Sequence, residues 1–195
     1  MSNTEKIKKI RQFVKSKSDK ENWKYHVVLV VNYAKKLAKI YRVNQEIVEL
    51  AALLHDIGRI VSKNIKDHDI IGVLKAGNIL KKYDYPEDII KEVKHCVESH
   101  RGSKNIKPRT LTAKIITNAD AMAHFDVFPI LIFIGAEGKF LGLQRKIEFE
   151  EIIKLVDEKM ERDWKKKLTL PEAKKMMKEK YRAIKLILDS TKKYI

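Results

Sequence analysis

Apolar residues recur every three or four positions through most of the chain, which is the period of amphipathic α-helices. After a capping box at Ser18–Glu21, this period runs through Trp23, Val27, Val30, Ala34, Leu37 and Tyr41. No segment of the sequence alternates apolar and polar residues as a half-buried strand does. The pattern therefore predicts an all-α, single-domain bundle of helices.

Capping residues and chain breakers divide this pattern into successive helices. We expect Asn44 to cap a helix that Gly58 ends, and Thr110 to open a helix that runs to Asp120. Between Phe125 and Lys146, one proline and three glycines predict broken helix and loop. Further helices are predicted from Asn3 or Thr4, over about Asp67–Lys82, after Pro86, over about Glu148–Lys165, and over about Pro171–Lys193 behind a Thr169–Glu172 capping box.

The composition indicates a folded protein of one domain. The chain has 195 residues, of which 44% are hydrophobic and 35% are charged, so it can bury a sizeable core. Its single cysteine, Cys96, excludes an intramolecular disulfide and favours a reducing compartment. The first dozen residues are polar, and the longest apolar run, Val127–Ile134, is far shorter than the ~20 residues of a membrane span. We expect a cytoplasmic protein without a membrane partner.

The formal net charge of +16 favours anionic partners, such as nucleotides, nucleic acid or acidic surfaces. The alternative is that these charges are solvated helix faces of a thermophilic protein. The lysines are spread along the whole chain and do not form one basic block interleaved with aromatic residues. A nucleic-acid partner is therefore the weaker prediction, and a small anionic ligand is the stronger one.

Imidazole and carboxylate groups fall on the apolar side of several predicted helices: His26, His55, Asp56, His100 and Asp120. Each has an ordinary explanation alone, since a lone buried histidine is usually hydrogen-bonded and a lone aspartate usually caps a helix or pairs with a cation. Together they lack obvious inward-facing lysine or arginine partners in the sequence pattern. Neutral imidazole and carboxylate are the ligands of divalent transition metals, and a cation would offset the cost of burying the carboxylates.

The arrangement resembles the HD-domain superfamily of metal-dependent phosphohydrolases, in which a histidine, an adjacent His–Asp pair and a later aspartate come from separate helices. The matching residues are His26 in "YHVVLVVNYAKKLA", His55–Asp56 in "AALLHDIGR" and Asp120 in "LTAKIITNADAM". The resemblance spans about residues 21–125 of a single HD-type domain, 1–195. It leaves 126–195 as a helical C-terminal extension, which we expect to pack on that core. Within the superfamily, the chain looks most like the small stand-alone HD hydrolases.

Some HD proteins hold a second or third metal, and the contexts that supply its ligands resemble "HDIIG" at His68 and "VESHRG" at His100. Cyclic-dinucleotide phosphodiesterases of the superfamily usually have a His–His pair where this chain has Ser99–His100, and their glycine-tyrosine-proline loop is absent here. The glutamate that follows the doublet in HD-type nucleotidases is also missing, and Arg59 lies near its position. Neither subgroup's substrate can be transferred to this chain.

The resemblance implies that a water activated by a divalent ion (Mn, Mg, Fe, Co, Ni or Zn) hydrolyses a phosphate ester of a nucleotide or similar small metabolite. The metal ligands would be His26, His55, Asp56 and Asp120, with His68 and His100 as candidates for a second ion. Catalytic roles would fall to Asp56, Asp120 and Arg59, and substrate contacts to His68, His100, Arg101 and Lys114. The alternative is a non-catalytic HD module that binds a phosphorylated ligand, while a nuclease is supported by the net charge alone.

Two further histidines are not assigned to the metal. His95 lies about 200° around its predicted helix from the buried stripe, so we expect it to be exposed or to support a ligand. His124 lies four residues after Asp120 and receives no role. The sequence does not predict the oligomeric state.

Overall fold

The structure is a computed structural model that describes residues 1–62, 68–101, 106–136 and 147–195, with side chains described except at 68–69 and 133–136. Every regular element in these residues is helical, which confirms the all-α prediction. The helices are α1 (Asn3–Lys17), α2 (Lys20–Asn22), α3 (Val28–Tyr41), α4 (Gln45–Leu54), α5 (Ile57–Val61), α6 (His68–Lys82), α7 (Glu87–Ser99), α8 (Leu111–Asp126), α9 (Phe128–Ala136), α10 (Phe149–Arg162) and α11 (Pro171–Thr191). Two π-helical turns accompany them, Trp23–Val27 between α2 and α3, and Asp163–Lys167 after α10.

The described residues form two compact units, residues 1–120 and residues 121–195. The boundary falls inside α8, directly after Asp120. The first unit contains nearly the whole segment that carries the metal-ligand pattern. The expectation that 126–195 packs on this core stays a prediction.

Helix α4 lies at the centre of the first unit, where it packs against α1, α3 and α7. This explains its sequence, because a helix with neighbours on several sides needs apolar residues around most of its circumference. Leu50, Leu53 and Leu54 are fully buried, as are the alanines at 51 and 52 that let neighbouring helices approach closely. The centre of the unit is therefore densely packed where α4 ends.

The doublet His55–Asp56 follows the last residue of α4 and precedes α5. Our prediction that Gly58 ends the helix is wrong. The helix already ends at Leu54, Asp56 takes the sparsely populated backbone conformation φ −106°, ψ 16°, and Gly58 lies buried inside α5. Gly72 of α6 packs closely against this turn, because an added Cβ would lie 3.2 Å from Val97 Cγ1 and 3.4 Å from the Gly58 nitrogen.

Helix boundaries elsewhere follow the capping signals in part. The Asn44 side chain accepts hydrogen bonds from the backbone nitrogens of Glu46 and Ile47, as predicted for an N-cap. Thr110 caps α8 through the nitrogen of Ala113, but α8 runs beyond Asp120 to Asp126. The predicted cap of the last helix is wrong, since its N-cap is Leu170 and not Thr169. Helix is interrupted at Val127, which agrees with the breaks expected there, and residues 137–146 lie outside the described residues.

The second unit contains α10 and α11, which pack together. An aromatic group joins them to the end of α8, with Trp164 stacked on Tyr181 at 4.3 Å between ring centroids and Phe125 edge-on to both. Such edge and stacked geometries match the charge distribution of aromatic rings. No helix among the described residues combines the length and apolar character that crossing a membrane requires.

Candidate metal centre

His26 lies in the π-helical turn Trp23–Val27. A π-turn holds one more residue than an α-helical turn, and such turns occur frequently at functional sites. The side chain of His26 is 14% exposed. It therefore lies at the edge of the first unit's core, on the apolar side of its helix as predicted. Its Nε2 atom lies 3.4 Å from Asp56 Oδ2 and 3.4 Å from Asp120 Oδ1.

His55 is oriented by the end of α4. Its Nδ1 atom donates a hydrogen bond to the Ala52 carbonyl at 2.8 Å, so the neutral ring carries its lone pair on Nε2. That Nε2 lies 3.0 Å from His26 Nε2, 3.7 Å from Asp56 Oδ2 and 4.0 Å from Asp120 Oδ1. The α4–α5 turn, the π-turn and α8 therefore bring these four side chains together.

The four side chains form a fitting site for a divalent cation. His26, His55 and Asp56 each offer a ligand atom, and these atoms all lie within 4.8 Å of one another. His55, Asp56 and Asp120 are 1%, 5% and 4% exposed, so their charges and lone pairs face each other with little water between them. Two imidazole nitrogens at 3.0 Å need a proton or a cation between them, and a cation also attracts the nearby carboxylate oxygens.

The electrostatic environment keeps the groups in their ligand forms. Burial lowers the pKa of His55 to about 4, despite the opposing effect of Asp56, so His55 is neutral near pH 7. Burial alone would raise the pKa of Asp56, but His55, His100, His26 and Arg59 together hold that pKa well below its usual value. A neutral imidazole and an ionised carboxylate are the forms that bind metal.

His100 approaches the same carboxylate from the other side. Its Nδ1 atom donates to the Val97 carbonyl at 2.7 Å, which leaves the lone pair of the neutral ring on Nε2. This Nε2 lies 3.4 Å from Asp56 Oδ1, whereas Asp56 Oδ2 faces His26 and His55. One oxygen of Asp56 thus faces His100, and the other faces His26 and His55. The side chain of His68 lies outside the described residues.

The three predicted cationic residues differ in their positions. Arg59, on α5, has a guanidinium nitrogen 4.0 Å from Asp56 Oδ2 and a side chain that is 49% exposed, so it can reach a ligand at the site. Arg101 follows His100 directly and is half-buried. Lys114 is exposed on α8, six residues before Asp120, and points about 120° away from it around the helix axis.

His95 is buried, which excludes the first of the two predicted alternatives, an exposed side chain. Its Nε2 atom accepts a hydrogen bond of 3.0 Å from the backbone nitrogen of Arg109. Periodicity along α7 could not reveal this, since the covering residues come from the segment that leads into α8. His95 therefore anchors Arg109, which lies just before the helix that carries Asp120.

A second cluster of titratable side chains lies in the second unit, and it was not predicted from the sequence. Asp163 is fully buried, and its Oδ2 accepts hydrogen bonds from His124 Nδ1 at 2.8 Å and from Lys159 Nζ at 3.2 Å. Burial would raise the pKa of Asp163, but Lys159 and His124 hold it well below its usual value. The available signal was the Lys159–Asp163 spacing of four residues, which ordinary surface ion pairs on helices share.

Comparison with known protein families places the whole constellation in context. The HD domain family matches residues 23–124. A curated relative, Ribonuclease Y of Symbiobacterium thermophilum, is 34% identical over 99 residues, which is 50% of this chain and 17% of the relative. The matched half of the chain thus spans only about a sixth of the length of that relative.

Solved structures extend the likeness over nearly the full chain. An HD-superfamily hydrolase from Bacillus thuringiensis has a TM-score of 0.71 at 21% identity, covering 99% of this chain and 98% of the other. YpgQ of Bacillus subtilis, solved in complex with ADP, has a TM-score of 0.64 at 16% identity, covering 100% of this chain and 97% of the other. At these identities the likeness concerns the fold, and it confirms the predicted HD-type helical architecture.

Proposed function

This chain belongs to the HD domain family, whose members are typically metal-dependent phosphohydrolases, and on that premise we propose that it hydrolyses a phosphate ester of a nucleotide or similar small metabolite. The observation that carries the proposal is the convergence of His26, His55, Asp56 and Asp120, with the His26 and His55 Nε2 atoms 3.0 Å apart. All four positions of the family pattern keep a ligand-type side chain. A module that had lost catalysis would be expected to lose at least one of them.

In this proposal the two imidazoles and two carboxylates hold a divalent cation, of which Mn, Mg, Fe, Co, Ni and Zn are candidates. A bound divalent cation would polarise a phosphate oxygen and lower the pKa of water. His55 is held in the correct tautomer by the Ala52 carbonyl, which fixes the direction of its lone pair.

The protein's own groups then bind the ester and accept a proton. Asp56 and Asp120 are the carboxylates close enough to orient a water and to take its proton. Arg59 provides a mobile positive charge within 4.0 Å of Asp56, suited to a phosphate oxygen that gains charge during the reaction. Arg101 is a further candidate because it follows His100, and the roles of Lys114 and His68 in substrate binding stay predictions.

His100 supports a second subsite. Its Nε2 lone pair faces Asp56 Oδ1, the oxygen turned away from the first set of imidazoles. A second cation, or a phosphate group that brings its own cation, would satisfy both atoms. We therefore assign His100 to a second-metal or phosphate position, with His68 as its partner from α6.

A second candidate function is cleavage of phosphodiester bonds in RNA. Two observations favour it, the 34% identity to a segment of a Ribonuclease Y and the net charge of +16. We prefer the proposal for small esters because one of the solved neighbours that cover the full chain was crystallised with ADP. The non-catalytic alternative, a module that binds a phosphorylated ligand, differs from both by lacking turnover.

The test is a hydrolysis screen of the full chain after removal of metals with a chelator and addition of Mn²⁺. Substrates are a chromogenic phosphomonoester, a chromogenic phosphodiester, ADP and a short RNA. We expect turnover that requires Mn²⁺ and falls at least ~100-fold in Asp56→Asn. The matched control is Asp88→Asn, an exposed aspartate on α7, which should keep wild-type activity. Binding of ADP without turnover would favour the module, and turnover of RNA alone would favour the nuclease.

A further inference from the structure

A groove on the first unit is lined by residues of α1, α5 and α6 and has a volume of about 380 Å³. This volume lies in the range of small-molecule sites in proteins. Its floor contains the half-buried Phe13 and Ile79 together with Val61, which is 36% exposed. None of the metal-centre residues lines the groove, so it is a separate feature of the same unit.

The rim of the groove is basic because of helical spacing. Helix α6 turns Lys75, Asn78, Ile79 and Lys82 into the groove, at intervals of three, four and seven residues, which place them on one face. Helix α1 contributes Phe13 and, one turn later, Lys17. The fold therefore brings Lys17 of α1 beside two lysines of α6 around one concavity.

These lysines are not neutralised by the protein. In the part of the chain that the structure describes, no carboxylate lies within 4.0 Å of the ammonium groups of Lys17, Lys75 or Lys82. By contrast, Lys35 and Arg11 in the same unit both pair with Glu49. Three like charges around an apolar floor repel one another, and an anion that enters the groove relieves this repulsion.

Aromatic side chains border the same groove. Phe13 and Tyr83 are both half-buried and both line it, so a flat apolar group can lie against their rings. Basic residues interleaved with aromatic residues are the pattern of surfaces that bind nucleotides or single-stranded nucleic acid through phosphate contacts and base stacking. The sequence itself does not show this pattern, because the residues come from three separate segments.

We propose that this groove is a binding site for a nucleoside phosphate, distinct from the metal centre. The base lies on the apolar floor beside Phe13 and Tyr83, Asn78 hydrogen-bonds a polar edge, and the three lysines surround the phosphate. The same chemistry is present in a free nucleotide and in one unit of a single strand. Binding at this groove needs no divalent cation, so it goes beyond the proposed hydrolysis and is independent of it.

The experiment measures binding to the full chain by calorimetry in the presence of a chelator, with AMP and a six-residue oligoadenylate as probes. The test variant is Lys17→Gln/Lys75→Gln/Lys82→Gln. The matched control is Lys36→Gln/Lys39→Gln/Lys91→Gln, which removes three exposed charges of the same unit outside the groove. A second test variant, Asn78→Glu, adds a negative charge to the groove while keeping all three lysines.

We expect the groove variant and Asn78→Glu to bind at least ~10-fold more weakly than wild type, and the control triple variant to bind within about 2-fold of it. For the oligonucleotide, raising salt from about 50 to 200 mM should weaken binding roughly 20-fold, as expected for about three phosphate contacts with a single strand. Binding of both probes supports a site that accepts a free nucleotide as well as one unit of a single strand. Binding of AMP alone identifies the free nucleotide, and binding of the oligonucleotide alone identifies the strand.

Three results would overturn the proposal. They are absence of binding by both probes, equal loss in the groove and control variants, and equally tight binding of a hexaglutamate peptide, which has the charge without the base. Because the measurement is made without metal, its failure leaves the proposed hydrolysis untouched. Conversely, failure of hydrolysis in the screen does not affect binding at the groove.

Discussion

The imidazole of His55 is 1% exposed, and its Nδ1 proton is committed to the Ala52 carbonyl. Its Nε2 atom faces His26, Asp56 and Asp120 at distances between 3.0 and 4.0 Å. At the residue scale, the site is therefore built from one fixed tautomer and two buried carboxylates. This arrangement lets single substitutions separate a metal-binding role from a structural role.

Asp120→Asn keeps the shape of the side chain and removes its charge. If Asp120 is a ligand, the variant should bind divalent metal at least ~100-fold more weakly and lose hydrolysis, because charge supplies most of a carboxylate's attraction for a cation. Its stability in the presence of chelator should be unchanged or higher by about 1–2 kcal/mol, since a buried anion is removed. The measurements are metal content per chain and melting temperature, with and without chelator. Unchanged metal content together with a lower melting temperature would show that Asp120 is structural.

The pKa of His55 predicts a pH dependence of stability. The pKa of His55 is about 4 in the folded protein and its ordinary value is 6.5, so the unfolded chain binds more protons between these values. Stability therefore falls as pH drops through this window, by roughly 2 kcal/mol between pH 7 and pH 5 in the apo protein. His55→Asn should lose this part of the slope. The check is urea unfolding with chelator at both pH values, and an identical slope in the two proteins would contradict the assignment.

The sequence predicted which side chains come together, but it did not predict the backbone groups that hold them in place. The candidate ligand positions follow from motif spacing, and in the structure these side chains lie close together. Burial of His95 depends on Arg109, and the fixed tautomer of His55 depends on a carbonyl. Such contacts leave no periodic signal, because they join a side chain to backbone that only the folded chain brings near.

At the scale of elements, the close approach of α5 and α6 fixes the end of the doublet turn. A Cβ at Gly72 would lie 3.2 Å from Val97 Cγ1 and 3.4 Å from the Gly58 nitrogen. Val97 is fully buried and Gly58 presents backbone, so neither neighbour can move easily. Val97 holds His100 through its carbonyl, and α5 begins directly after Asp56, so a shift of either neighbour would reach a residue of the candidate site.

Two glycines of α6 provide a matched pair of substitutions. Gly72→Ala should destabilise the protein by about 1–2 kcal/mol through overpacking and should weaken metal binding. Gly77→Ala meets only the flexible side chain of Lys94, at 3.3 Å, and should stabilise the protein by about 0.5–1 kcal/mol through helix propensity. Denaturant unfolding and metal titration of both variants check this. Equal effects of the two substitutions on stability and on metal binding would show that close packing at Gly72 is not needed for either property.

In the second unit, a buried ion pair between Lys159 and Asp163 lies where α10 meets the π-turn. Asp163→Leu leaves Lys159 buried without its carboxylate, which should cost about 3–5 kcal/mol. The double variant Lys159→Met/Asp163→Leu removes both charges and should recover a large part of that loss. Urea unfolding of wild type, single and double variants measures the difference. A double variant no more stable than the single variant would show that the ion pair is not the reason for the loss.

Element boundaries show the limits of sequence reasoning in physical terms. Asn44 was predicted correctly because a cap is a local interaction. The end of α4 was misplaced, because the break at Asp56 is determined by packing and not by the glycine that follows. The π-turn at His26 was not predicted, since its extra residue changes the helical period too little to be seen in one short segment.

At the scale of the whole molecule, the hydrophobic period predicted the all-α class, and the motif predicted the HD-type fold. From the sequence, the net charge of +16 did not predict where a basic surface lies. Evenly spread lysines did not indicate a nucleic-acid surface, yet folding gathers three of them beside two aromatic rings. Clusters assembled from distant segments are beyond sequence patterns, because they depend on how helices pack.

The central claim is that His26, His55, Asp56 and Asp120 hold one divalent cation. The most direct test is a crystal structure of the protein soaked in Mn²⁺, with anomalous difference maps recorded at the manganese absorption edge. We expect a peak about 2.0–2.3 Å from Nε2 of His26 and His55 and from one oxygen of Asp56 and of Asp120. A manganese peak elsewhere, with these four side chains hydrogen-bonded only to protein, would contradict it.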